Sequence, residues 1–319
     1  MMMIKCLGLF LRMFGRVKYA IPTIMALVLA MTTVGGMAQE RPSLKTEADF
    51  RAAMESLSNW GRWGPDDELG AANFITPEKR RGAARLVTEG LSVSLAHDVI
   101  EEDAVDGGTF LDRQVMRVSE TGAADRYQYT GTYHGTIHSH LDSVACHVMF
   151  EGKGYNGVTQ ESIEAAGGCP QGSIHALRDG IFTRGILFDA TLLPGRATPE
   201  GWMELGDAIT WADLERLEEI QGVRVSEGDV ILLYTGRWKR RAALGAWPTS
   251  EGVSGYQADV AYFLKERGVS FIGQSAGRVH FAQPSSQGKT VSSLPVLGYW
   301  PGSREIFAPS ARSLPSMFS

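Results

Sequence analysis

GDVILLYTG, Gly228–Gly236, holds the apolar run Val230–Tyr234 between a glycine-aspartate pair and a threonine-glycine pair. A run this short, apolar at every position and closed by turn residues, reads as a strand buried on both faces. Upstream, TWADLERLEEIQG (Thr210–Gly222) reads as an amphipathic helix with a threonine N-cap, an early acidic residue and a glycine stop. Before it, GIFTRGILFDAT (Gly180–Thr191) contains a second apolar strand, ending at Asp189. Downstream, YQADVAYFLKERG (Tyr256–Gly268) predicts a second helix and VSFIG (Val269–Gly273) a third strand. Strand–helix–strand–helix–strand with apolar strands specifies an α/β fold, a mixed sheet covered by helices. No glycine-rich phosphate fingerprint follows any of these strands, so no nucleotide cofactor is expected.

Nearer the N-terminus the punctuation is denser. Gly61, Gly64 and Pro65 mark a loop, and Thr76, Pro77 and Glu78 open a helix expected to reach about Val87. LSVSLAHDV (Leu91–Val99) alternates well enough for a strand, with His97 inside it as a structural residue. The first residues are a separate object. Lys5, Arg12, Arg16 and Lys18 precede the apolar run Ala20–Val34, and Gly36 and Ala38 occupy the small-residue positions of a signal-peptidase site. A secretory signal over residues 1–38 is therefore expected, with a secreted or periplasmic protein and no stable membrane span after processing. Eighteen residues are long for the charged part of a signal, so a later methionine is the expected start.

Removing residues 1–38 takes four of the 31 Lys+Arg and none of the 36 Asp+Glu, which moves the net charge from −5 to −9. An acidic chain argues against nucleic acid and anionic lipid as partners. Cys146 and Cys169 remain. An oxidising compartment permits a bond between them, but two cysteines make no framework, and separate thiols are the expectation.

The chemistry lies in YHGTIHSHLDSVACH, Tyr133–His147, which holds four of the chain's seven histidines. Imidazole and carboxylate suit zinc, and carboxylate also admits manganese. In an extended segment His138, His140 and Asp142 share one parity with His134, while His147 has the other. A metal with an open position lowers the pKa of water to about 7, and a nearby histidine then moves protons. Hydrolysis of an amide, formamide, lactone or ester is the natural outcome. The bland alternative is a loop of solvated histidines.

HGTIHSHLDSVACHVMFEGKGYNG resembles the metal-binding signature of the cyclase family, which includes bacterial kynurenine formamidases and isatin hydrolases. NWGRWGPDDELGAANFITPEKRR (Asn59–Arg81), TRGILFDA (Thr183–Ala190) and VSEGDVILLYTGR (Val225–Arg237) resemble an opening segment and core strands of that family. The resemblance implies a single swivelling β/β/α-type domain over residues 58–273, following a polar link at 39–57. It implies one or two Zn or Mn ions and a homodimer or higher homo-oligomer acting on a small molecule. By the same resemblance His134, His140 and Asp142 are metal ligands and His147 is the proton-transfer residue. His138 matches no family ligand, although its parity keeps it a candidate. The Asp142–His147 interval is one residue longer than the family's.

Residues 274–319 depart further, with ten serines and a single acidic residue, Glu305. Leu294–Val296 matches the family's Leu-Pro-x-His up to Leu297, which stands in the histidine's place. His280 and Glu305 are the substitutes on offer, in a segment that is divergent or the product of a frameshift. The leading expectation is a metal-dependent hydrolase of an aryl formamide, cyclic amide or lactone. A metal-binding homologue without turnover and a periplasmic binding protein are the alternatives.

Overall fold

In the computed structural model, Val230–Tyr234 is an inner strand of a four-stranded sheet. The structure describes residues 44, 46–107, 110–131, 137–146 and 151–274, and the backbone of 304–306. Residues 1–38, expected to be a signal, and His134, His147 and His280 lie outside these residues.

In chain order the helices and strands begin with α1 (Glu47–Ser56), α2 (Pro77–Ala84), β1 (Leu111–Arg117), β2 (Ala123–Tyr129) and α3 (Gln160–Ala166). There follow β3 (Gly185–Asp189), β4 (Ala208–Ile209), α4 (Trp211–Gln221), β5 (Val230–Tyr234) and α5 (Arg237–Leu244). The last are β6 (Gly255–Tyr256), α6 (Val260–Arg267), β7 (Phe271–Gln274) and β8 (Arg304–Ile306). The main sheet runs β3-β5-β7-β8, and every pair in it is parallel.

Period-two geometry divides the strand residues between two cores. Ile186, Phe188, Ile231, Leu233 and Ile272 pack with Leu214 and Leu217 of α4 and with Val260, Phe263 and Leu264 of α6. Leu187, Val230, Leu232 and Phe271 face the other way. They meet Ala72 and Ile75 together with Leu141, Leu177 and Ile181. The second face is thus covered by turns and loops, and Leu141 belongs to the histidine-rich segment. Both faces being buried explains the unbroken apolar strands.

The helix ends follow the sequence signals closely. Thr210 and Asp213 form a reciprocal capping box at the start of α4, and Gly222 ends it at φ 63°. Thr76 caps α2, with Pro77 at its first position, but that helix ends at Ala84. At the head of α5, Gly236 has φ 75°, and an added Cβ would lie 2.6 Å from the Gly201 carbonyl oxygen. Only glycine fits there.

Several expectations are corrected. The helix predicted from Tyr256 begins at Val260, because Gly255–Tyr256 pairs in parallel with Ala208–Ile209 and Tyr256 is fully buried. Tertiary pairing outweighs helical periodicity at that position. Leu91–Val99 forms no strand and exposes Leu91, Val93 and Leu95, since alternation without a pairing partner is not enough. The β1–β2 hairpin was not anticipated, because LDRQVMR and AADRYQY are too polar to announce strands. Within the stretch read as a polar link, α1 forms with a Thr46–Asp49 capping box and buries Phe50 and Ala53.

One buried carboxylate ties the sheet's edge together. Asp229, fully buried, accepts hydrogen bonds from Lys79 Nζ, Arg184 and the backbone N–H of Ser226. Burial alone pushes its carboxyl up, but the bonds from Arg184, Lys79 and Ser226 outweigh burial and hold it below the usual range. The pair and its bonds compensate a charge that would otherwise be costly to bury.

Candidate metal centre

The centre is built around Leu141. Its side chain packs on the second face of the sheet, and its neighbours in sequence, His140 and Asp142, carry the donor atoms. Nε2 of His140 and Oδ1 of Asp142 stand 3.5 Å apart, and both side chains are almost wholly buried. Nδ1 of His140 lies 2.7 Å from the carbonyl oxygen of His138. A carbonyl only accepts, so Nδ1 carries the hydrogen and, in the neutral ring, Nε2 presents its lone pair. A backbone carbonyl holding the far nitrogen of a histidine is the arrangement that fixes a metal-ligating tautomer.

The donor spacing fits a shared ion. Two donors each about 2.1 Å from one tetrahedral ion stand about 3.4 Å apart, close to the observed separation. Among the described residues no group of three or more His, Cys, Asp or Glu side chains is gathered for a metal. The described residues therefore contribute a pair, and His134 and His147 lie outside them. His138 is buried. Its ring makes an edge contact with Tyr129, centroids 5.3 Å apart, and its carbonyl orients His140. Glu305 lies in β8, where only the backbone is described. The segment is not a strand, so shared parity does not by itself align His138 with the pair.

Beyond Asp142 the chain turns. The Cys146 N–H donates to Ser143 Oγ at 3.1 Å, and Val144 and Ala145 are buried with Tyr155 and Val158. Cys146 and Cys169 are disulfide-bonded, which corrects the expectation of separate thiols. Their separation of 23 residues hid a proximity that only packing creates. In the chain-entropy account a loop of that length is worth about 3 kcal/mol when closed. Gly154 approaches the same turn from another side. A Cβ there would fall 1.9 Å from the Ala145 carbonyl oxygen.

Sequence reasoning overlooked the residues that frame this turn. Tyr155 donates its hydroxyl to Asp67 Oδ2 at 2.8 Å, and burial together with Asp67 raises the phenol's pKa. Asp67 also accepts from Gly70 N and from Asn73 Nδ2. Asn156, left-handed at φ 53°, accepts from Gly61 N and donates Nδ2 to the carbonyls of Gly64, Pro65 and Asp67. One amide thus fastens the Asn59–Asp67 loop beside the metal segment. The available signal was Asn156-Gly157, a pair suited to positive φ. Asn156→Ala is expected to cost about 2 kcal/mol, from lost hydrogen bonds and left-handed strain. A thermal or urea midpoint unchanged from the wild type would remove the clamp from the account.

His97 stacks on Trp238, with centroids 4.0 Å apart and 18° between planes. Its Nδ1 also lies 2.7 Å from the carbonyl oxygen of Asp98. His175 lies in a 3₁₀ turn, Ile174–Leu177.

The cyclase family model matches residues 90–277 of the chain. No curated protein matches it. Among solved structures, one described as a novel cyclase superposes with a TM-score of 0.63 at 23% identity, covering 80% of this chain and 85% of its own. That likeness bears on the fold. Isatin hydrolase A from Labrenzia aggregata, bound to benzyl benzoate, gives a TM-score of 0.42 at 15% identity, covering 70% of this chain and 82% of that one. A potential metal-dependent hydrolase with cyclase activity gives 0.33 at 19%, covering 64% and 73%.

Proposed function

The chain belongs to the cyclase family, and from that premise we propose that it is a metal-dependent hydrolase of a small amide, an aryl formamide or a cyclic amide or lactone. The observation that carries the reading is the buried His140–Asp142 donor pair, 3.5 Å apart, with the His140 tautomer set by the His138 carbonyl. Asp142 supplies negative charge and His140 a neutral nitrogen, a donor set suited to zinc or manganese. When bound, such an ion supplies hydroxide near neutral pH.

The chain's own residues do the rest. Leu141 seats the donors on the sheet, and the His138 carbonyl keeps a hydrogen on Nδ1 of His140 so that Nε2 stays available. His134 completes the ligand set in this reading, and His147 accepts and returns the proton. Both assignments rest on the family resemblance of the motif. The protein is read as exported, from the basic and apolar N-terminal segment and from a disulfide suited to an oxidising compartment. It is read as a homodimer or higher homo-oligomer by the same resemblance. No helix among the described residues is long and apolar enough to cross a membrane.

Elemental analysis of the purified protein, paired with hydrolysis of N-formylkynurenine and of a cyclic amide, tests the reading. Bound zinc or manganese with turnover is the expected result. Bound metal without turnover on either class would replace it with a metal-binding homologue, as Leu297 in the place of the family histidine suggests. A protein that holds no metal would overturn it.

A further inference from the structure

We infer that the Cys146–Cys169 disulfide is a positioning element of the metal centre, fastening the turn Asp142–Cys146 that follows the donor pair. The inference rests on the metal-centre reading above. Its basis is the way this short stretch is held. At one end Leu141 is seated against the sheet between the two donor residues. At the other, Cys146 is covalently joined to Cys169, with Cα atoms 5.6 Å apart. Only three residues separate Asp142 from Cys146, and His147 follows directly. The Cys146 N–H bond to Ser143 Oγ closes the turn between these anchors.

The loop after Cys169 lies directly on the turn. A Cβ at Gly172 would come within 2.8 Å of the Ala145 Cβ and 3.2 Å of a Val144 methyl. Gly154 presses on the Ala145 carbonyl from elsewhere. Apart from the disulfide, Val144 and Ala145 of the turn pack with buried Tyr155 and Val158, and partly buried Trp60 and Ile163 lie against them. These contacts place the turn, and because valine and alanine have little area of their own to bury, the covalent bond adds substantially to them. The covalent bond makes the arrangement permanent. A donor held at both flanks loses less freedom when an ion binds, so affinity is higher than for a donor on a loose loop.

The test compares wild type with the double variant Cys146→Ser/Cys169→Ser, both purified and stripped of metal. Zinc and manganese affinities are measured by chelator competition, well below either protein's thermal midpoint. Backbone hydrogen exchange is followed in the same metal-free samples. The variant is expected to bind at least about tenfold more weakly, as when the support of a ligand is removed. It should lose protection at residues 137–146 while Val230–Tyr234 keeps it. Loss of a merely stabilising bond would lower the midpoint and leave folded-state metal affinity unchanged. Equal affinity, or protection lost evenly over the sheet, therefore overturns the inference. If the double variant does not fold, wild type opened by a phosphine is measured instead while it remains folded. In that reaction the disulfide is reduced to two thiols as the phosphine takes oxygen from water. Equal or tighter binding there overturns the inference too. A wild type that holds no metal sinks the underlying reading, and this inference with it.

Discussion

Asp142→Asn is expected to strip the protein of its metal. The amide keeps the shape of the carboxylate, so Leu141 stays seated on the sheet and the metal-free fold is preserved. What is lost is the negative charge 3.5 Å from Nε2 of His140, in surroundings almost closed to water. A divalent ion there gains most from a charged donor, because low dielectric strengthens the attraction. Removing even an outer partner of a metal ligand typically costs 10–100-fold in affinity. Replacing the charged donor itself should cost at least about 100-fold by that scale. Asp142 also has two oxygens, so its loss would empty a two-ion site as readily as a one-ion site. After dialysis against a weak chelator, the variant should retain little zinc or manganese, with a metal-free thermal midpoint near that of the wild type. Full occupancy would remove Asp142 from the centre.

His147→Ala should have the opposite signature, keeping metal and losing turnover. The residue follows Cys146 directly in sequence, at the opposite parity to His140 and Asp142, and the family resemblance gives it proton transfer rather than metal binding. A histidine that moves protons contributes roughly 10²–10⁴ in kcat. The loss should appear in kcat at unchanged metal content, measured with an aryl formamide. Loss of metal would make His147 a ligand, and an unchanged rate would exclude it from the mechanism. Where the wild type itself binds metal without turnover, the tail is the place to look. Grafting a tail with the family's Leu-Pro-x-His and a later glutamate would then restore activity. Failure of the graft would point to the long Asp142–His147 interval.

The core strands were legible because their signals are local. Val230–Tyr234, Gly185–Asp189 and the helix Trp211–Gln221 each carry composition and end signals within a dozen residues, and burial on both sheet faces agrees with those signals. The histidine-rich segment was legible for a similar reason, since ligand types are rare and their crowding shows without a structure. His140 and Asp142 do come together. Their shared parity was a poor guide to the reason, because the segment is bent and a carbonyl, not a pleat, aims the ring.

What sequence alone determined is therefore the three apolar strands of the main sheet, the helix caps and the candidate donor residues. Tertiary structure decided which of them meet. Cys146 pairs with Cys169, Asn156 fastens the loop of Gly61–Asp67, and Leu141 finds the sheet's second face. Tyr256 leaves its helix for a short parallel pairing, and Leu91–Val99 finds no strand partner among the described residues. Propensity and periodicity act over a few residues of chain, whereas these contacts join segments far apart in sequence. Their free energy comes from surfaces that exist only once the sheet and its covering turns have formed.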